Sequence, residues 1–190
     1  MSLAQKTEKK FTYKDYLEWP DDERWELIDG VAYNMTPAPL PRHQRIAGNF
    51  HTILNVRLKD RPCIPFIAPT DVVLSEYDVV QPDVFVVCDK KKITKTNIQG
   101  APDLVVEVLS PSTTLKDKRE KKACFEKYGV REYIIIDPIE NYVERFYLED
   151  DGSYSKGDIF GPKEVLTLSS LEEIEISFSE VFDVEESEEC

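Results

Sequence analysis

The chain has 190 residues, 41% of them hydrophobic, which suffices for one globular core and is too little for two. No apolar run approaches the ~18 residues of a membrane span, and the opening MSLAQKTEKK lacks the apolar core of a signal peptide, so a soluble cytoplasmic protein is expected. The net charge of −13 is local: residues 140–190 hold 16 acidic and 3 basic side chains, residues 1–139 hold 21 of each, and residues 88–131 are basic, so a phosphate-binding face is not excluded.

In chain order, residues 1–10 are expected to be a flexible N-terminus, residues 11–184 one domain and residues 185–190 an acidic tail. FTYKDYLEWP reads as a short helix with Thr12 as cap, Asp15 three residues on and Pro20 as its end. RWELIDGVAYNM reads as a hairpin turning at Asp29-Gly30. A Pro-rich link, TPAPLPRH, precedes an amphipathic helix over about 43–59, in which Ile46, Phe50, Ile53, Leu54 and Leu58 recur at helical spacing. APTDVVLS and QPDVFVVC read as strands with the polar turn EYD between them, and DKKKITKTNIQG as a flexible basic link.

PDLVVEVLS reads as a buried strand, followed by a helix over about 113–128 that stops at Gly129. EYIIID is a further buried strand, and YVERFYLED pairs with the segment after the Asp151-Gly152 turn. Helices alternate with strands, which predicts an α/β fold with a mixed sheet flanked by helices. Cys63, Cys88, Cys124 and Cys190 match neither a zinc knuckle nor a CxxC pair, and reduced thiols are expected.

Two strands carry an acid where apolar residues would suffice: Glu107 among Leu104, Val105, Val106, Val108 and Leu109, and Asp83 after Pro82. A carboxylate there costs several kcal/mol, as an order of magnitude, unless it is compensated. The compensation is either an ion pair or a metal, since two carboxylates and the Val108 carbonyl supply the hard oxygen ligands that Mg²⁺ or Mn²⁺ prefers. In the following helix Cys124, Phe125 and Tyr128 define an apolar stripe, and at ~100° per residue Lys121 falls within roughly 20° of its centre. Lys121 is therefore expected to point toward Glu107, with Asp117 on the same stripe, while Lys118 and Lys122 face water.

These residues carry a resemblance. ERWELIDGVAYNM, HQRIAGNF, QPDVFVV, PDLVVEVLSPST, KDKREKKACFEKYGVREY and IIIDP together resemble the putative restriction-endonuclease (Uma-type) family of the PD-(D/E)XK phosphodiesterase superfamily, over about residues 11–182. The resemblance implies a restriction-endonuclease-like fold and metal-dependent hydrolysis of phosphodiester bonds in nucleic acid, DNA first. It makes Asp83 and Glu107 the metal pair, Lys121 the catalytic lysine and Glu26 an additional catalytic acid. The superfamily pattern would place lysine two residues after Glu107, where this chain has Leu109; the lysine is displaced to the helix. His43 and Gln44, and the Lys90, Lys91 and Lys92 cluster, are expected substrate contacts, and a homodimer is expected because two centres then reach two strands. The alternative is a degenerate nuclease fold serving as a binding or dimerisation module.

Overall fold

The computed structural model describes residues 9–20, 22–35 and 39–184. Residues 1–8, the expected acidic tail 185–190, Cys190 and residues 36–38 of the Pro-rich link lie outside the described residues.

Helix α1 (Tyr13–Tyr16) opens with a complete capping box: the Thr12 hydroxyl accepts from Asp15 N–H, and the Asp15 carboxylate accepts from Thr12 N–H. β1 (Trp25–Ile28) and β2 (Val31–Asn34) form the expected hairpin. Its turn needs positive φ at both central positions, 50° at Asp29 and 72° at Gly30, and a Cβ at Gly30 would lie 2.8 Å from the Lys10 side chain. α2 (Pro41–Arg57) follows, with Pro41 in its first turn.

β3 (Ile64–Ile67) is a strand that sequence patterning did not single out. The polar turn at 75–78 closes β4 (Val72–Val73) onto β5 (Val79–Val80), so it lies within one hairpin instead of joining APTDVVLS to QPDVFVVC. β6 (Val84–Val87) comes next. The link expected to be flexible is ordered: Lys90–Lys92 form a 3₁₀ turn capped by Asp89, and β7 (Ile98–Gln99) pairs in parallel with β4.

β8 (Leu104–Val108) leads into a helix of three parts: α3 (Thr114–Lys116), a π turn at Asp117–Lys121, and α4 (Lys122–Lys127). The chain leaves this helix through Gly129 at φ 74°, and then forms β9 (Glu132–Asp137) and β10 (Tyr142–Tyr147). β11 (Asp158–Phe160), the hairpin β12 (Val165–Leu168) and β13 (Ile174–Ser177), and α5 (Phe178–Phe182) follow.

The strands form two mixed sheets and the β12–β13 hairpin. The large sheet has the order β11-β10-β9-β8-β6-β3, and the small one β2-β1-β5-β4-β7. β8 and β9 are the parallel pair of the large sheet, and such a pair requires a crossover, here the helix 114–127. Alternation along each strand divides the core. Val84, Val106, Val108 and Ile134 pack with α2, α5 and the last hairpin; Phe85, Val105, Leu109 and Ile135 pack with α4 and the small sheet. Glu107 therefore faces the crossover helix and the small sheet.

The pairing of Ile64 with Val87 sets Cys63 opposite Cys88, with Cα atoms 3.8 Å apart, and the two are joined as a disulfide. The expectation of reduced thiols fails for this pair, because cysteine spacing carries no information about strand register. Cys124 is a free, buried thiol. Among the described residues no helix is long and apolar enough to cross a membrane.

Candidate active site

The strand order brings four elements to one end of the large sheet. Glu26 comes from β1, Asp83 from the residue before β6, Glu107 from β8, and Lys121 from the last position of the π turn. Lys121 is 2% exposed although it carries a charge, and it lies between two buried acids. Its Nζ is 3.0 Å from Glu26 Oε1 and in direct contact with Glu107 Oε1. Asp117, also buried, opens the same π turn and feels the Lys121 charge.

Glu26 has a second lysine. Lys116 Nζ lies 2.5 Å from Glu26 Oε2, while Gln81 N–H donates to Oε1 at 2.9 Å. The sequence reading missed Lys116 because an ideal helix places it roughly 140° from Lys121. The π turn closes i→i+5 bonds, which stacks residues five apart, so that both lysines reach one carboxylate. Lys118 and Lys122 do not simply face water. Lys118 binds Glu144 at 2.6 Å, and Lys122 lies 3.6 Å from the centroid of the Phe146 ring.

Asp83 is fixed from two sides, by Val108 N–H at 2.8 Å and by His43 Nε2 at 3.2 Å, both on Oδ2. Oδ1 has no hydrogen bond among the described residues. His43 is buried on α2, and Gln44 follows it; both border the same cleft as Asp83, Glu107, Val108 and Lys121, a space of about 470 Å³. Lys90, Lys91 and Lys92 do not line it. They follow the far end of β6, and at about 3.3 Å per residue Cys88 is about 17 Å from Asp83. Lys92 instead donates to the Ala101 carbonyl at 2.6 Å.

The site holds an excess of negative charge. Burial alone would raise Glu26, but Lys121, Lys116 and the Gln81 N–H outweigh it and hold the carboxyl at about 2. Glu107 goes the other way: burial raises it well above the usual range, Lys121 opposes this, and Asp83, Asp117 and Glu26 add to it. Burial pushes Asp117 up to about 6 against the pull of Lys121. Burial disfavours the Lys121 ammonium, but Glu107, Glu26 and Asp117 hold it protonated. Burial would likewise lower His43, and Asp83 and the Val108 carbonyl reverse the shift.

Four carboxylates thus meet Lys116, Lys121 and, on Asp83, His43, which leaves one acid more than the cations beside them. Among the described residues no three His, Cys, Asp or Glu side chains converge on one metal position. Among the donors that line the cleft, the Asp83 and Glu107 carboxylates beside the Val108 backbone make an all-oxygen set of the kind a hard divalent cation takes. Asp83 Oδ1, which has no hydrogen bond among the described residues, and Glu107, whose one lysine is shared with Glu26, fit such an ion.

The family model "Uma2: Putative restriction endonuclease" matches residues 13–179. The chain belongs to this family. It is 28% identical over 154 residues to the uncharacterized protein slr1290 of Synechocystis sp., covering 76% of this chain and 78% of that protein. A putative nuclease belonging to DUF820 from Anabaena variabilis, known from a crystal structure, has a similar fold. Its TM-score is 0.75 at 21% identity, over 91% of this chain and 98% of that one. The α/β architecture with mixed sheets flanked by helices is therefore shared with that structure, and the family assignment gives the chain a nuclease-like character.

Proposed function

We propose that the cleft is the active centre of a metal-dependent nuclease that hydrolyses phosphodiester bonds in DNA. One observation carries this reading: Asp83, Glu107 and Lys121, from three separate parts of the chain, line one cleft, with Glu26 of β1 buried behind it on Lys121. Asp83, Glu107 and the Val108 carbonyl would hold Mg²⁺ or Mn²⁺. When bound, such an ion would polarise the phosphate and lower the pKa of a water molecule.

The rest belongs to the side chains. Val108 N–H and His43 fix Asp83 Oδ2, so the carboxylate is oriented before any ligand arrives. Lys121, held protonated by the acids around it, would hold the attacking water in line with the leaving oxygen as a positioning group, not as the base. Glu26 sets the position of both lysines and is itself held by Gln81 N–H. A degenerate, non-catalytic relative is the second reading, favoured by the direct contact of Lys121 with Glu107.

Calorimetric titration of Mn²⁺ and Mg²⁺ into the protein, beside Asp83→Ala and Glu107→Ala, separates the two. Binding abolished by both substitutions, together with metal-dependent cleavage of plasmid DNA, is the expected result. Binding that neither substitution changes would leave Glu107 as a partner of Lys121 alone and overturn the nuclease reading.

A further inference from the structure

Arg24 immediately precedes β1, its carbonyl accepting from Met35 N–H beyond the end of β2; it stands two residues before Glu26, the spacing of side chains on one face of extended chain, and it borders the cleft. Its guanidinium is held by an amide oxygen. Nε and Nη2 donate to a single neutral acceptor, the Gln81 side-chain oxygen, at 3.1 and 2.8 Å. Among the described residues no carboxylate pairs with Arg24.

The acceptor is itself built in. Gln81 is buried, and its Nε2 donates to Asp71 Oδ1 at 2.8 Å, an oxygen that also accepts from Tyr16 O–H at 2.9 Å. Its backbone N–H is the donor that reaches Glu26. One residue therefore fixes both the acid beneath the cleft and the guanidinium at its border.

A neutral anchor orients a guanidinium without cancelling its charge, and Nη1 has no hydrogen bond among the described residues. Arginine's planar fork matches phosphate oxygens, and its charge persists at every working pH. We propose that Arg24 is a substrate-anchoring residue that grips a backbone phosphate of the bound nucleic acid next to the bond being cut. This rests on the nuclease reading and adds to it a cation at the border of the cleft that, unlike Lys116 and Lys121, is not paired with a carboxylate among the described residues.

The test is equilibrium binding of a fluorescein-labelled DNA duplex in EDTA, by anisotropy across a salt series, for wild type, Arg24→Ala, Arg24→Gln and Arg24→Lys. Loss of one phosphate contact lowers the slope of log affinity against log salt by about 0.9. Arg24→Ala and Arg24→Gln are expected to show that loss and to bind about tenfold more weakly. Arg24→Lys is expected to keep the slope and recover only part of the affinity, since it restores charge without the fork.

A purely structural Arg24 would leave the slope unchanged in all variants, and that outcome overturns the inference while the nuclease reading stands. If Arg24→Ala melts early, the slopes of Arg24→Gln and Arg24→Lys decide, and equal slopes overturn it. Wild-type protein that binds neither duplex nor single strand would overturn the nuclease reading itself.

Discussion

Adjacent strands of the large sheet each bury a glutamate, and the two are treated differently. Glu132 on β9 is fully satisfied: Arg145 Nε donates to Oε1 at 2.7 Å, while Ser170 donates to Oε2 through its hydroxyl at 2.6 Å and its N–H at 3.2 Å. One acid meets one base, hydroxyl and amide donors fill the other oxygen, and Glu132 borders no cleft among those described. Glu107 on β8 shares its lysine with Glu26 and lies near Asp83 and Asp117, at a cleft. Burial of an acid is common to both, so burial alone does not mark a functional residue. An acid that must share its cation, beside an open space, does.

The largest expected effects come from removing each cation. Lys121→Met leaves Glu107 and Glu26 facing each other and should cost about 3–5 kcal/mol in urea unfolding, with part of the loss returned by Mn²⁺. Arg145→Met leaves Ser170 on Glu132 and should cost about 2–3 kcal/mol, with no return from metal. Equal responses to Mn²⁺ in the two variants would erase the distinction between the clusters.

Neutralising the acids should reverse the order of damage. Glu132→Gln gives up its charge-assisted bonds to Arg145 and should lose about 2 kcal/mol. Glu107→Gln relieves repulsion with Asp83, Asp117 and Glu26, and Glu26 still holds Lys121, so stability in EDTA should change by less than about 1 kcal/mol. A strongly destabilised Glu107→Gln protein would make the Glu107–Lys121 pair structural.

Acid should separate the active-site cluster from a second structural one around Asp78. That carboxylate would be raised by burial, but Asp29 N–H, Tyr128 O–H, Ser75 and Lys127 hold it below the usual range. Its stabilisation is present above about pH 3.8 and is lost as pH falls through its lower folded value. Asp117 has the opposite sign. With a folded pKa of about 6 against 3.8 unfolded, the native state binds the extra proton. Metal-free protein should gain up to about 3 kcal/mol as pH falls from about 6 to 4. Asp117→Asn should remove that gain, read from urea midpoints in EDTA; a pH slope that survives the substitution would assign it to another group, with Glu107 the first to test.

The smallest expected effect lies outside both clusters. Lys10→Ala breaks the exposed pair with Asp29 and should change stability by less than about 0.5 kcal/mol. A larger loss would mean that the β1–β2 turn depends on that contact.

The sequence by itself determined the elements whose period is strong and local: the capped first helix, the Asp29-Gly30 hairpin, the amphipathic α2, the buried β8 and β9, and the inward face of Lys121. Each depends on neighbours within a turn or a pleat, where side-chain direction follows from the backbone repeat. Tertiary structure alone decided the rest. Strand register joined Cys63 to Cys88, the short strands β5 and β7 exist because β4 gives them a partner, and a π turn that leaves no trace in an α-helical projection brought Lys116 onto Glu26. Arg24 and Gln81 were missed for the same reason. A polar residue in a strand becomes part of a site only through what the fold sets beside it, and those contacts span tens of residues of chain.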